Sequence, residues 1–77
     1  MQLDIISPDK NIFSGEASAV KLPGIGGSFG ILDNHAPLIS ALKAGDIKVT
    51  SANGEENFTV TGGVVEVLKN KVIILAE

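Results

Sequence analysis

DIKVTSANGEENFTVT, residues Asp46 to Thr61, decides the fold class of this chain. Ile47 and Val49 fall on one side of an extended segment, with Asp46, Lys48 and Thr50 on the other. Phe58 and Val60 alternate in the same way with Asn57, Thr59 and Thr61. A period of two sends successive side chains to opposite faces of a strand, so each run reads as a β-strand with one face buried. Asn53-Gly54 stands between them, and both residue types tolerate the positive φ of a type I′ hairpin turn.

The same pattern extends outward in both directions. Leu3 to Ser7 is stopped by the turn pair Pro8-Asp9, Asn11-Ile12-Phe13 ends at Ser14-Gly15, and Ala17 to Leu22 ends at Pro23-Gly24. Gly24 to Gly30 reads as a flexible loop between strands. On the C-terminal side Gly62-Gly63 marks a bulge or a close backbone approach. Val64 to Leu68 and Lys71 to Leu75 then form a last hairpin across Lys69-Asn70. Turn signals spaced about 8–12 residues apart indicate an all-β antiparallel sandwich or barrel. Alternation places Phe58 and Val67 in its core. One segment reads two ways. Asn34 to Lys43 offers an N-cap, a proline in the first turn, apolar Leu38, Ile39 and Leu42, and a stop at Gly45, which local sequence alone favours as a two-turn helix.

Composition removes several classes of function. Residues of hydrophobic type make up 44% and charged ones 19%, too apolar for a disordered chain. Net charge is −3, with six lysines and no arginine, so the electrostatic footprint of a nucleic-acid or polyphosphate binder is missing. The longest apolar run, Val72 to Ala76, falls far short of the ~20 residues of a spanning helix. Met-Gln-Leu-Asp at the start lacks the basic n-region of a signal peptide, and without cysteine no disulfide is available. These features suit a cytosolic protein or one peripheral to a membrane.

Candidates for chemistry are few. Gly24-Ile25-Gly26-Gly27-Ser28-Phe29-Gly30 has the outline of a dinucleotide loop, but Phe29 occupies the last glycine position and no helix follows to meet a phosphate. His35 is the only histidine, and a zinc site needs three or four ligands, so no metal or cofactor is expected. A histidine before Pro37 that bonds to loop backbone is the plainer reading. Glu55-Glu56 and the lysines read as solvated strand faces.

Set beside known families, Leu22-Pro23-Gly24, Gly30-Ile31-Leu32, Asn34-His35-Ala36-Pro37-Leu38 and Lys43-Ala44-Gly45 resemble the signature of the ε subunit of F-type ATP synthases. Asp4-Ile5-Ile6-Ser7, Phe13-Ser14-Gly15, Gly62-Gly63-Val64-Val65-Glu66-Val67 and Asn70-Lys71-Val72 fall into register with it, so the resemblance covers essentially the whole chain. It implies a single domain over residues 1–77, an antiparallel β-sandwich of about ten short strands, with a strand at the ambiguous segment. It also implies a non-catalytic rotor subunit that links γ to the c-ring and helps couple proton translocation to ATP synthesis. Such a subunit sits peripherally on the cytoplasmic face of the bacterial inner membrane.

By motif, Gly26, Gly27 and Ser28 would face the c-ring, and Ile31, His35, Ala36, Leu38 and Ser40 would lie at or near the γ interface. Many members carry acids in the ring-facing loop where this chain has Ile25-Gly26-Gly27-Ser28, so a charge-based ring contact is not expected. Members also continue past a Leu-Ala-Asp/Glu segment, here Leu75-Ala76-Glu77, into two helices that in some cases bind ATP; no nucleotide binding is expected of these 77 residues. The rival reading is a small β-sandwich module that grips a ligand with loop 24–35. Ligand and sugar sites favour exposed Trp or Tyr, and this chain has neither.

Overall fold

A computed structural model describes residues 1–77 as seven strands without a helix. These are β1 (Gln2–Ile6), β2 (Asn11–Glu16), β3 (Ala19–Gly24), β4 (Gly27–Leu32), β5 (Leu38–Ser51), β6 (Gly54–Leu68) and β7 (Lys71–Ala76). They form one continuous sheet in the order β2-β1-β7-β6-β5-β3-β4, folded back on itself around a single apolar core. The all-β sandwich expected from sequence is present, with seven strands instead of about ten. The difference lies in β5 and β6, of 14 and 15 residues, which run through both halves of the sandwich where shorter strands were expected.

The fold turns at a corner on those two strands. Lys21 of β3 pairs with Lys48 of β5, yet three residues on Gly24 pairs with Leu42, so β5 takes a longer path from Lys43 to Ile47 than β3 does. A Cβ on Gly45 would lie 2.9 Å from the Pro23 Cβ, so the corner is shaped for a residue without a side chain. Across it the first half of β5 pairs with the second half of β6 (Ile39 with Glu66, Ala41 with Val64), and the second half of β5 with the first half of β6 (Ile47 with Phe58).

The pairing is not wholly antiparallel, because β1 runs parallel to β7, Leu3 beside Val72 and Ile5 beside Ile74. The type I′ assignment at Asn53-Gly54 does not hold. Only Gly54 has positive φ (103°), and the turn is made by Ala52 and Asn53, so glycine follows the turn instead of sitting within it. Lys69 and Asn70, with φ of 51° and 59°, have the paired positive φ of a type I′ hairpin. The expected loop from Gly24 to Gly30 is a two-residue turn, Ile25-Gly26, followed by strand β4. Gly24 allows that tight closure, since a Cβ there would fall 2.7 Å from both the Gly27 carbonyl and the Phe29 ring. The ambiguous stretch is strand from Leu38 onward; sheet pairing with Val67 and its neighbours outweighs the local helix signal.

Leu3, Ile5, Ile47, Val65, Val67 and Ile74 are among the side chains almost wholly removed from water, drawn from both halves of the sandwich. No polar or charged side chain is buried. Phe58 is only half-buried, at the rim of this core, where it meets Phe13 edge-to-face with ring centroids 5.8 Å apart.

Candidate partner interface

Strand parity sorts the eight residues that the motif singled out. Gly26, Gly27 and Ser28 are exposed on the β3–β4 turn, tied to β5 by the Ile25 N–H donating to the Ala41 carbonyl at 3.2 Å. His35 and Ala36 are exposed in the connection from β4 to β5, beside the β6–β7 turn. That connection is anchored by Asn34, which adopts φ of 62° and donates its backbone N–H to Asn70 Oδ1 at 2.7 Å. His35 donates from Nδ1 to the Ala36 carbonyl at 2.7 Å, the plain backbone role foreseen for it. No group of three or more His, Cys, Asp or Glu side chains converges as a metal site would require.

Ile31 is a correction. Its side chain is 1% exposed and packs in the core, so it braces the hairpin and offers a partner no surface. Leu38 and Ser40 are half-buried and share the inward parity of Leu42, their partners across the ladder being the buried Val67 and Val65. A one-residue step flips every side chain to the other face. The strand therefore presents Ile39 and Ala41 to solvent where Leu38 and Ser40 were expected.

The outward residues form a continuous apolar row. Ala41 pairs with Val64 across β5–β6, Val64 with Leu75 across β6–β7, and Leu75 with Ile6 across β7–β1. Ile39, at 71% exposure the most open large aliphatic of the chain, lies one step along on the same face, beside Glu66 and then Ile73. Leu68 extends the row toward the β6–β7 turn. Five of the seven large aliphatics left exposed, namely Ile6, Ile39, Val64, Leu68 and Leu75, belong to this one outer face. The other half of the sandwich presents Lys21, Asp46, Lys48, Glu55, Asn57 and Thr59 instead. There Thr59 Oγ1 donates to Asp46 Oδ1 at 2.8 Å, and Lys48 Nζ lies 3.3 Å from Glu55 Oε1.

Sequence carried a signal for this face that alternation alone hides. A strand with one solvated face alternates, whereas one covered on both faces reads as an unbroken apolar run. Ile5-Ile6, Leu38-Ile39, Val64-Val65 and Ile73-Ile74-Leu75 are such runs, and all lie in the same half of the sheet.

One water-facing side of this small β-sandwich is left aliphatic, as in the class of proteins that meet another protein through such a face. Comparison with known proteins narrows the class. The family described as "ATP synthase, Delta/Epsilon chain, beta-sandwich domain" matches residues 1–77, and the chain belongs to that family. The ATP synthase epsilon chain of Bordetella petrii is 46% identical over 78 aligned positions, which cover 100% of this chain and 55% of that one. That of Chlorobium limicola is also 46% identical, over 99% of this chain and 88% of its own length. The chain thus spans about half the length of the Bordetella relatives it matches. Among solved structures, the fold is similar to a chain of the Tetrahymena thermophila mitochondrial ATP synthase central stalk and c-ring (TM-score 0.83, 21% identity, 97% of this chain and 61% of that one). It is also similar to a chain of the Euglena gracilis mitochondrial ATP synthase (TM-score 0.88, 23% identity, 96% and 48%).

Proposed function

We propose that this chain is a non-catalytic subunit of the rotating central stalk of an F-type ATP synthase, seated peripherally on the cytoplasmic face of the bacterial inner membrane. As a single domain over residues 1–77 it links the γ subunit to the c-ring and helps couple proton translocation to ATP synthesis, without a cofactor or nucleotide of its own. No helix of the chain is long and apolar enough to cross a membrane.

The observation that carries this reading is the row Ala41–Val64–Leu75–Ile6 with Ile39 beside it. Contiguous aliphatic surface is costly to leave in water and marks a protein contact. A γ subunit docking there would remove it. His35 and Ala36 flank the first residues of β5 and fall at the margin of that contact, while Gly26, Gly27 and Ser28 are exposed on the β3–β4 turn, which bonds to Ala41 at the end of the row, and would meet a second partner, the c-ring.

The test is titration of purified γ with the wild-type chain, with the double variant Ile39→Asp/Leu75→Asp, and with Thr59→Asp on the polar side as control. Loss of binding in the double variant alone supports the assignment. Equal binding by all three would remove this face, and with it the main support for a stalk role.

A further inference from the structure

β2 and β4 end the strand order of the sheet, and the two are treated differently. Edge strands expose unpaired N–H and C=O groups, and proteins blunt them with charges, prolines or bulges. β2 is blunted: Ile5 pairs with Phe13 and Ile6 with Asn11, which leaves Ile12 as a bulge, and Glu16 adds a charge at its end. β4 is bare. Its sequence, Gly27-Ser28-Phe29-Gly30-Ile31-Leu32, holds neither charge nor proline, and its register with β3 is unbroken from Ala19–Leu32 to Gly24–Gly27. The ladder closes on Gly24–Gly27 around a two-residue turn. By antiparallel alternation the backbone groups of Phe29 and Ile31 then bond to β3, while those of Ser28, Gly30 and Leu32 face outward.

Beside this edge lies a groove of about 420 Å³ whose lining includes Lys21, Ser28, Gly30, Leu32, Lys48 and one acid, Glu55. Lys21 and Lys48 stand directly opposite each other across β3–β5, and like charges so placed repel. Lys48 has Glu55 at 3.3 Å, but Lys21 has no carboxylate: the other ion pairs of the chain join the Met1 ammonium to Glu16 and Asp33. The cross-strand partner of Lys21 on β4 is Gly30, which has no side chain to screen the lysine from whatever lies along the edge.

We propose that β4 accepts an extended acidic segment of a partner protein as an added strand, main chain bonding to Ser28, Gly30 and Leu32 and a carboxylate reaching over Gly30 to Lys21. Main-chain bonds give such an addition its affinity and alternate side chains give its selectivity. Strands lie about 4.8 Å apart, so an added strand stands two spacings from β3, within reach of a glutamate meeting a lysine. Lys21 and Gly30 lie on the opposite half of the sandwich from the aliphatic row, so this occupant is distinct from a γ subunit docked on that row, although it shares Ser28 with the turn proposed to meet the c-ring.

The experiment records amide shifts and hydrogen exchange of the 77-residue chain titrated with a short peptide alternating valine and glutamate, and with its valine–lysine counterpart. The acidic peptide is expected to slow exchange at Ser28, Gly30 and Leu32 by about tenfold or more. Lys21→Glu should weaken its binding by roughly tenfold, as expected for losing one charge-assisted contact, and let the lysine peptide bind. Gly30→Pro removes an outward donor without an internal bond and should abolish both. Unperturbed amides at millimolar peptide, equal binding of the two peptides, or free glutamate reproducing the shifts would each overturn the proposal. Should Gly30→Pro fail to fold, Lys21→Glu, at an exposed position, and the amide pattern still decide it.

Discussion

Gly63 passes so close to Leu75 that a Cβ on the glycine would collide with the Leu75 carbonyl oxygen, a backbone atom that cannot swing aside. With φ of 149°, Gly63 is also in a conformation that L side chains rarely adopt. Gly63→Ala should therefore destabilise the chain by about 1–3 kcal/mol. For a domain of this size each kcal/mol corresponds to roughly 4–8 °C in Tm, which calorimetry or a circular-dichroism melt resolves. An unchanged Tm would show that β6 and β7 can separate at this point without cost.

Charge placed on the aliphatic face should cost binding and spare the fold. Ile39 and Leu75 are exposed, so Ile39→Asp and Leu75→Asp are each expected within about 0.5 kcal/mol of wild-type stability. His35→Ala, which loses only a bond to neighbouring backbone, should weaken γ binding by no more than ~1 kcal/mol, since hot spots favour Trp, Tyr and Arg. Ala36→Trp should cost far more by holding fitted surfaces apart. Melting curves beside γ titrations check both halves of this expectation, and the reverse order of His35→Ala and Ala36→Trp would count against a shape-matched contact.

Rim and core should separate in the aromatic pair. Phe58 is half-buried against Phe13, so Phe58→Ala should cost less than the ~3–5 kcal/mol of a fully buried phenylalanine, and less than Ile47→Ala at roughly 2–5 kcal/mol. A double-mutant cycle on Phe13 and Phe58 should return a coupling of about 0.5–1.5 kcal/mol for the edge-to-face contact. Denaturant unfolding of the four variants measures both.

In the 77-residue chain the Met1 ammonium bonds to Asp33 Oδ1 and donates to the Ala17 carbonyl at 2.9 Å, with Glu16 Oε1 at 3.7 Å. The Asp33 hydrogen bond, helped by the charges of Asp33 and Glu16 and opposed by desolvation, raises the amine above its ordinary value of 8.0. A raised folded-state pKa means stability that is complete below the unfolded value and is lost as pH climbs through the folded one. Tm should accordingly hold up to about pH 8 and fall beyond it, while Asp33→Asn should start lower and flatten the decline. A profile identical in the two proteins would remove the amine from the account.

Legibility from sequence followed the sharpness of the local pattern. Ile47 and Val49 alternate with charged neighbours, and their burial was readable at once. Leu38-Ile39 and Val64-Val65 are apolar on both faces, so nothing local fixes which member faces water; the motif points to Leu38 and Ser40, which are half-buried, while Ile39 and Ala41 are the more exposed pair. Ile31 was misplaced for a related reason: a family motif marks positions that matter without separating those that touch a partner from those that hold up the strand. The turn at Ala52-Asn53 and the corner at Gly45 depend on how two strands twist together, which no single segment encodes. The parallel pairing of β1 with β7 joins residues some seventy positions apart and was invisible to any window of sequence.

That last pairing sets the order of events as the chain is made. Leu3 and Ile5 are synthesised some seventy residues before one of the two strands that flank them, so β1 and β2 wait as an unsupported hairpin until Val72 and Ile74 arrive. Two-stranded hairpins are marginal in water. Closing so long a loop before the core can form places this small domain among slow folders governed by distant contacts. A nascent chain halted before residue 72 should remain open to protease along its whole length, and protection should come in one step once β7 clears the ribosome.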